Sequence, residues 1–362
     1  MTYFFYSLFL SLVSFLSIIR IHSKYKYILL VLVVILCSLF VGLRYEVGSD
    51  YWNYYDQYIN AVEYGWDMWF EPGFILSVII SNFLVDSYFF YTLLYAFISI
   101  SILAYALPKV TPFWLLSFIL ILLSQMGSFT GSIRTGFVFG ILIFATVYIK
   151  KQQSYKFLFT VLLAASIHYA SLIFLLSYLF RKIELSRLIY LFIFLSSIII
   201  GILGVFQHIM NFILEIIAQN NSLFGVYANK LNSYTQAHLY GGIGLTSVVK
   251  KSILFGYFLY FYSTLKIRFK MYNIYFNIVL FGYILYFIIT PSFPVLGARI
   301  SLWFTFFELI LLPLPLLVVK ALHKKILIIL FSLFVSIATM VQTIFSYEEL
   351  YLPYKTYLGV IF

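Results

Sequence analysis

From Ile28 to Leu43 the chain runs without a single charged residue. A helix of that length already covers most of a hydrocarbon layer about 30 Å thick. Comparable apolar runs recur at 88–107, 112–126, 135–149, 188–205, 272–290, 300–319 and 326–345. Inside a bilayer no water satisfies the backbone, so each run has to close its own hydrogen bonds as a helix. Composition agrees, since 64% of the residues are hydrophobic and 10% charged, too few polar side chains to clothe a water-facing exterior. The predicted fold class is therefore all-α, a polytopic membrane protein forming one integral membrane domain over residues 1–362.

The formal net charge of +11 reflects membrane orientation and excludes a nucleic-acid partner as its cause. The cations sit in short clusters between apolar runs (Arg20 to Lys26, Lys150 to Lys156, Arg181 to Arg187, Lys266 to Lys270, Lys320 to Lys325), which is the positive-inside pattern. Alternating these clusters predicts about ten full spans plus re-entrant or short helices, with both termini outside. The outer loops are expected at about 44–87, 126–134, 206–244 and 291–299, with an outer tail at 346–362. Residues 71–86 are short for a span and, by parity, are expected to enter and leave on the outer side. Residues 157–180 lie between two basic clusters and are expected to form a hairpin that turns near Ser166 to Ser171. Carboxylates sort outward, apart from Glu184 in a loop and Glu308 within a span. The single cysteine, Cys37, permits no intrachain disulfide. Met1 to Ile19 lacks a basic leader and a small-residue cleavage site, so no cleavable signal is expected.

Chemistry concentrates in the stretch Gly42-Leu-Arg-Tyr-Glu-Val-Gly-Ser-Asp-Tyr-Trp-Asn-Tyr-Tyr-Asp56, at an outer boundary. Singly, Arg44 reads as a snorkelling anchor and the tyrosines as an interfacial belt. Together they suit an anionic head group carrying sugars: a guanidinium fork for phosphate oxygens, rings such as Tyr45, Tyr51 and Tyr55 for sugar faces, and Asp50 as base or acceptor. Arg134 and Arg299 also fall at outer ends of apolar runs, and three such guanidiniums can converge on one pyrophosphate. Glu71, with Asp56, Glu63 and Asp67, can line a polar surface or bind sugar hydroxyls. His168 sits mid-run, where an ionisable group is a functional candidate. Glu308 carries the same flag, with an arginine or a tyrosine hydroxyl as its expected partner. The sequence has no phosphate-binding glycine loop, no paired-cysteine site and no His–carboxylate cluster at metal spacing. No cofactor and no metal are expected.

The Gly42 to Asp56 stretch resembles the EpsG-like branch of the bacterial Wzy-type polysaccharide polymerases. Further matches follow in order: Ile133-Arg134 opening a run, Lys150-Lys151, Ile167-His168-Tyr-Ala-Ser-Leu172, Gly244-Leu-Thr-Ser247, Ala298-Arg299 and Pro353-Tyr354. The resemblance implies a GT-C-like membrane glycosyltransferase facing the periplasm or exterior of the bacterial cytoplasmic membrane. It would move a growing glycan from undecaprenyl pyrophosphate onto a lipid-linked repeat unit, for O-antigen, capsule or exopolysaccharide. Membrane lipid and a chain-length regulator are the further partners it implies. Carried over by position, Asp50 and His168 are the catalytic candidates, with the base open between them. Arg44, Arg134 and Arg299 carry over as pyrophosphate contacts, and the residues themselves add Tyr45, Tyr51, Tyr55 and Glu71 as expected substrate contacts. Two rival functions are a flippase of lipid-linked oligosaccharide and a membrane acyltransferase centred on His168. The flippase reading lacks an inverted repeat in this sequence.

Overall fold

The computed structural model describes residues 2–16, 23–67, 70–209 and 244–359. Among them every named element is helical, and the one isolated β pairing is an antiparallel bridge between Arg44 and Thr356. The chain forms two compact units, one of Met1–Tyr178 with Leu312–Phe362, the other of Leu179–Leu311.

The first unit opens with α1 (Thr2–Phe15), α2 (Ser23–Gly42), α3 (Tyr51–Tyr64), α4 (Pro72–Leu84), α5 (Tyr88–Val110) and α6 (Trp114–Ser124). It continues through α7 (Met126–Thr130), α8 (Ile133–Lys150) and α9 (Ser154–Ala165) into a 3-10 segment, Tyr169–Lys182. The second unit holds α10 (Arg187–Ile202), α11 (Leu245–Arg268), α12 (Tyr272–Ile289), α13 (Pro294–Thr305) and the single turn α14 (Glu308–Leu311). The chain then returns to the first unit as the 3-10 turn Leu314–Leu317, α15 (Leu322–Ser346) and α16 (Glu348–Tyr351).

Local chemistry sets several ends. Pro72 and Pro294 stand in the first turns of α4 and α13, where the missing N–H is no loss and φ is already helical. α5 stops at Val110 because Thr111 precedes Pro112, whose ring disfavours the helical region one residue upstream; Thr111 is extended. In the first unit α5 packs along both α2 and α8, α8 along α9, and α6 against α15. In the second, α12 lies between α10 and α13. There Tyr190 and Tyr262 both donate to Asn273 Oδ1, at 3.2 and 2.6 Å, and the Asn273 amide donates to the Ile183 carbonyl.

Six of the described helical segments are, by length and composition, long and apolar enough to cross a membrane: Lys24–Gly42, Tyr88–Val110, Ile133–Lys150, Tyr272–Ile289, Pro294–Leu317 and Leu322–Ser346. The others fall short for a simple reason. Thr2–Phe15, Trp114–Ser124, Ser154–Ala165 and Arg187–Ile202 are 10–17 residues long, or about 15–25 Å at 1.5 Å per residue. α11 has the length but carries Lys250, Lys251, Lys266 and Arg268.

Four of the segments expected to be outer differ from the sequence expectation, and in one of them, residues 126–134, helix α7 and the first turn of α8 replace the loop. Residues 44–87 are not a loop with one short helix but two helices, because Tyr51, Tyr54, Tyr58 and Ala61 recur at helical spacing and are buried together. Residues 291–299 are a loop only as far as Phe293; helix α13 starts at Pro294, so Arg299 lies inside it. The tail is structured, with α16 and the bridge to Arg44. The expected loop at 206–244 falls almost wholly outside the described residues. The expected turn within 157–180 is present. α9 ends at Ala165, and the chain doubles back so that the ring of Phe157 meets those of Phe174 and Tyr178, at 6.3 and 5.1 Å.

Candidate active site

Three separate stretches of the first unit meet at Glu71. This residue precedes α4 and is 7% exposed. Its Oε2 accepts from Arg134 Nη1 at 2.5 Å. Its Oε1 accepts from the Tyr169 backbone N–H at 3.3 Å and lies 3.8 Å from His168 Nδ1. Arg134 stands in the first turn of α8, where the helix dipole disfavours a cation; the Glu71 carboxylate offsets that. The Arg134 Nε donates to the Tyr54 hydroxyl at 3.3 Å. The guanidinium carbon also lies 5.3, 5.6 and 5.2 Å from the ring centres of Tyr54, Phe70 and Phe74, within cation–π range. A buried ion pair is tolerable when its remaining donors and acceptors are matched, and here both carboxylate oxygens are engaged.

Two glycines make the convergence possible. A Cβ on Gly73 would stand 2.6 Å from Ser166 Oγ and 2.8 Å from the Ser166 carbonyl oxygen. The Gly73 N–H donates to that carbonyl at 2.7 Å. The start of α4 thus sits directly on the turn after α9, which puts Glu71 beside His168 and Tyr169. Gly48 has φ +112, a conformation that L side chains rarely adopt, and its Cβ would lie 2.4 Å from the Thr130 carbonyl oxygen. That seats the loop before Asp50 against α7. Asp50 occupies the N-cap position of α3 without capping it; instead its Oδ2 accepts from Ser132 Oγ at 3.1 Å, two residues before Arg134. Burial raises the Tyr54 hydroxyl above the usual phenol range, and the Arg134 charge offsets part of that rise. Tyr54 therefore stays protonated, with an oxygen that accepts from Arg134 and an O–H left to donate.

Arg44 is placed differently. It is 1% exposed, and its Nη1 donates to the Val41 carbonyl at 2.6 Å. Its Nε and Nη2 find no hydrogen-bond partner among the described residues. The tail covers it: Tyr45 N–H donates to the Lys355 carbonyl and Tyr357 N–H to the Leu43 carbonyl, both at 2.9 Å. The Tyr354 hydroxyl donates to the Phe40 carbonyl, and its ring stacks on Phe40 at 4.8 Å and 9°. The Arg44 charge acts on the hydroxyls of Tyr351, Tyr354 and Tyr357, each of which burial raises more strongly.

The EpsG family model matches residues 27–356, nearly the whole chain. The chain belongs to the EpsG family. This is a family of Wzy-like polysaccharide polymerases, and with the long apolar helices it makes the chain a multi-pass membrane protein. No match was found among curated proteins or solved structures.

All the candidate residues fall within the span matched to the EpsG family. The structure brings Arg134, Glu71 and His168 together and ties Asp50 to Ser132 nearby. Arg44 forms no hydrogen bond with this cluster and is enclosed by the tail. Arg299 is exposed on α13 of the second unit. Tyr45, Tyr51 and Tyr55 line a separate cavity, with Asp86 and Tyr357. Glu308, also in the second unit, accepts from the Tyr283 hydroxyl at 2.8 Å, the second of its two expected kinds of partner. Sequence reasoning missed Tyr54, Ser132 and Tyr357. Tyr54 was findable, since it lies three residues from Tyr51 and four from Tyr58 on one helical face. Tyr357 was not, because its hydrogen bond to Tyr51 spans 306 residues.

Proposed function

We propose that the chain is a polysaccharide polymerase that transfers a growing glycan from undecaprenyl pyrophosphate onto a lipid-linked oligosaccharide repeat unit. The reacting centre is the Arg134–Glu71–His168 cluster, facing the outside of the bacterial cytoplasmic membrane. One observation carries this reading: a guanidinium, a carboxylate and an imidazole from distant stretches are joined at one half-buried point, in a chain of a polymerase family.

In the proposed step an acceptor hydroxyl oxygen bonds to the anomeric carbon of the donor sugar. The bond from that carbon to the pyrophosphate oxygen breaks, and its electron pair leaves with the pyrophosphate. The hydroxyl proton passes to His168. A carboxylate on the Nδ1 side of His168 favours a proton there and leaves Nε2 as the base. Arg134 keeps N–H groups beyond those given to Glu71 and Tyr54, and these suit phosphate oxygens in a charge-assisted fork. Asp50, held by Ser132, is the second candidate base. The energy of transfer resides in the glycosyl–pyrophosphate bond, so the reaction requires neither nucleotide nor metal. Membrane lipid and a chain-length regulator are the proposed partners.

The test is glycan laddering in a strain lacking this gene, complemented with wild type or with Arg44→Ala, Asp50→Asn, Glu71→Gln, Arg134→Lys, His168→Ala or Arg299→Ala. Single repeat units on the surface of the deletion strain, with a ladder restored by wild type, support polymerisation. Failure of single units to reach the surface at all overturns it in favour of a flippase. Rescue of His168→Ala by added imidazole identifies His168 as the base; loss in Asp50→Asn with an active His168→Ala moves that role to Asp50.

A further inference from the structure

Beside α3, lined by its Tyr51, Trp52, Tyr55 and Tyr58, lies a cavity of about 420 Å³, within the roughly 300–1,000 Å³ typical of ligand clefts. Its floor is ring upon ring: Tyr55 meets Tyr88 edge-on at 5.1 Å and Trp52 at 5.8 Å. Tyr45 meets Tyr357 at 5.1 Å. The Tyr51 and Tyr357 hydroxyls share a hydrogen bond of 2.5 Å, which ties the floor to the tail. Trp52 is 54% exposed and Tyr45 is 37% exposed, so side-chain surface of both is open to an occupant. Asp86 and Ser87 supply polar groups at one edge, and no Lys, Arg or His lines the cavity.

These features together select an occupant. Aromatic faces accept the C–H face of a sugar ring, and phenol hydroxyls accept or donate at its rim. A carboxylate takes two sugar hydroxyls. A phosphate or an acidic sugar would meet Asp86 with no cation in the lining, since nearby Lys355 is paired with Glu46 and Arg44 is buried under the tail. An interfacial belt, by contrast, points its rings singly into the head-group layer; here the rings pair with one another around a concavity. The cavity also shares α3 with the cluster described above. Tyr51 and Tyr55 face the cavity, while Tyr54, between them in sequence, holds Arg134.

From this we infer that the cavity bounded by Trp52, Tyr55, Asp86 and Tyr357 is a subsite for an uncharged sugar of the glycan, adjacent to the reacting centre. This rests on the proposed polymerase reading for its biological use, but not for its test. The probe is a set of neutral oligosaccharides made by partial hydrolysis of the host strain's own surface polysaccharide. Binding to the purified full chain in nanodiscs is followed by calorimetry and by tryptophan fluorescence. Trp52→Ala and Asp86→Asn weaken binding by about tenfold or more, and Trp52→Phe restores most of it. Arg134→Lys abolishes laddering yet keeps oligosaccharide binding within about threefold of wild type. The subsite is overturned if Trp52→Ala and Asp86→Asn bind as wild type does, or if wild type binds none of the neutral probes. It is equally overturned if acidic oligosaccharides bind more tightly than neutral ones. None of these results bears on whether the deletion strain loses its ladder, so the polymerase reading stands or falls separately.

Discussion

At Arg134 lysine is the informative exchange. Alanine would leave the Glu71 carboxylate buried and unpaired, at a cost of about 3–5 kcal/mol, and loss of activity would then be inseparable from loss of fold. Lysine keeps the charge beside Glu71 but loses the planar fork and the Nε bond to Tyr54. Arg134→Lys is expected to express and insert normally while turnover falls about 100-fold or more, the scale of losing one charge-stabilising donor set. An in vitro assay with lipid-linked repeat units measures it. Gly73→Ala tests the same site from behind. Its Cβ would lie 2.8 Å from a backbone oxygen of Ser166, which cannot swing aside as a side chain does. Destabilisation of about 1–3 kcal/mol is expected, with activity falling further than thermal stability because Glu71 is carried away from His168. Chemical denaturation in detergent and the turnover assay give the two numbers.

Among the elements, the tail acts as a strap across the α2–α3 junction. Besides its backbone bonds to Leu43 and Tyr45 it is held by Lys355 Nζ to Glu46 Oε2 at 2.8 Å. That hydrogen bond lowers the Glu46 carboxyl below its ordinary 4.5. A carboxyl lowered on folding stabilises the fold fully above its unfolded value and loses that contribution as pH falls through the folded one. The strap is therefore expected to loosen only in acid, below about pH 4.5. Hydrogen exchange at the Tyr45 and Tyr357 amides reads this directly. Glu46→Gln exchanges faster than wild type at pH 7, and the difference shrinks as pH falls below about 4.5 and through the lowered folded value. Salt reduces the effect as well, since the pair is partly exposed.

For the whole molecule, orientation and metal use are the open expectations with direct measurements. The positive-inside pattern puts Trp66 outside and Tyr155 inside; both are exposed. In a Cys37→Ser background, Trp66→Cys is expected to react with a membrane-impermeant maleimide on intact cells, and Tyr155→Cys only after permeabilisation. Polymerisation is expected to persist in excess EDTA, because arginine supplies the charge opposite the pyrophosphate in the proposed step. Loss of activity in EDTA with recovery on adding magnesium would replace that part of the mechanism.

What the sequence determined by itself was the class of the protein and a set of candidate side chains. Long uncharged runs force helices in a bilayer, and chemistry-bearing residues stand out against an apolar background, as at Arg44, Asp50, Arg134 and His168. The break at Ser166 was legible too, since polar residues interrupt an apolar run there. What only tertiary structure decided was which of these meet. Glu71 read as one of four similar carboxylates, and becomes central only because Gly73 docks on Ser166, 93 positions along the chain. Arg44 read as one of three guanidiniums able to converge on a pyrophosphate, yet a tail some 310 residues away encloses it. Helical periodicity is a local property, carried by hydrogen bonds four residues apart. Convergence of distant stretches depends on close packing between helices, which one missing Cβ can permit and which no local pattern encodes.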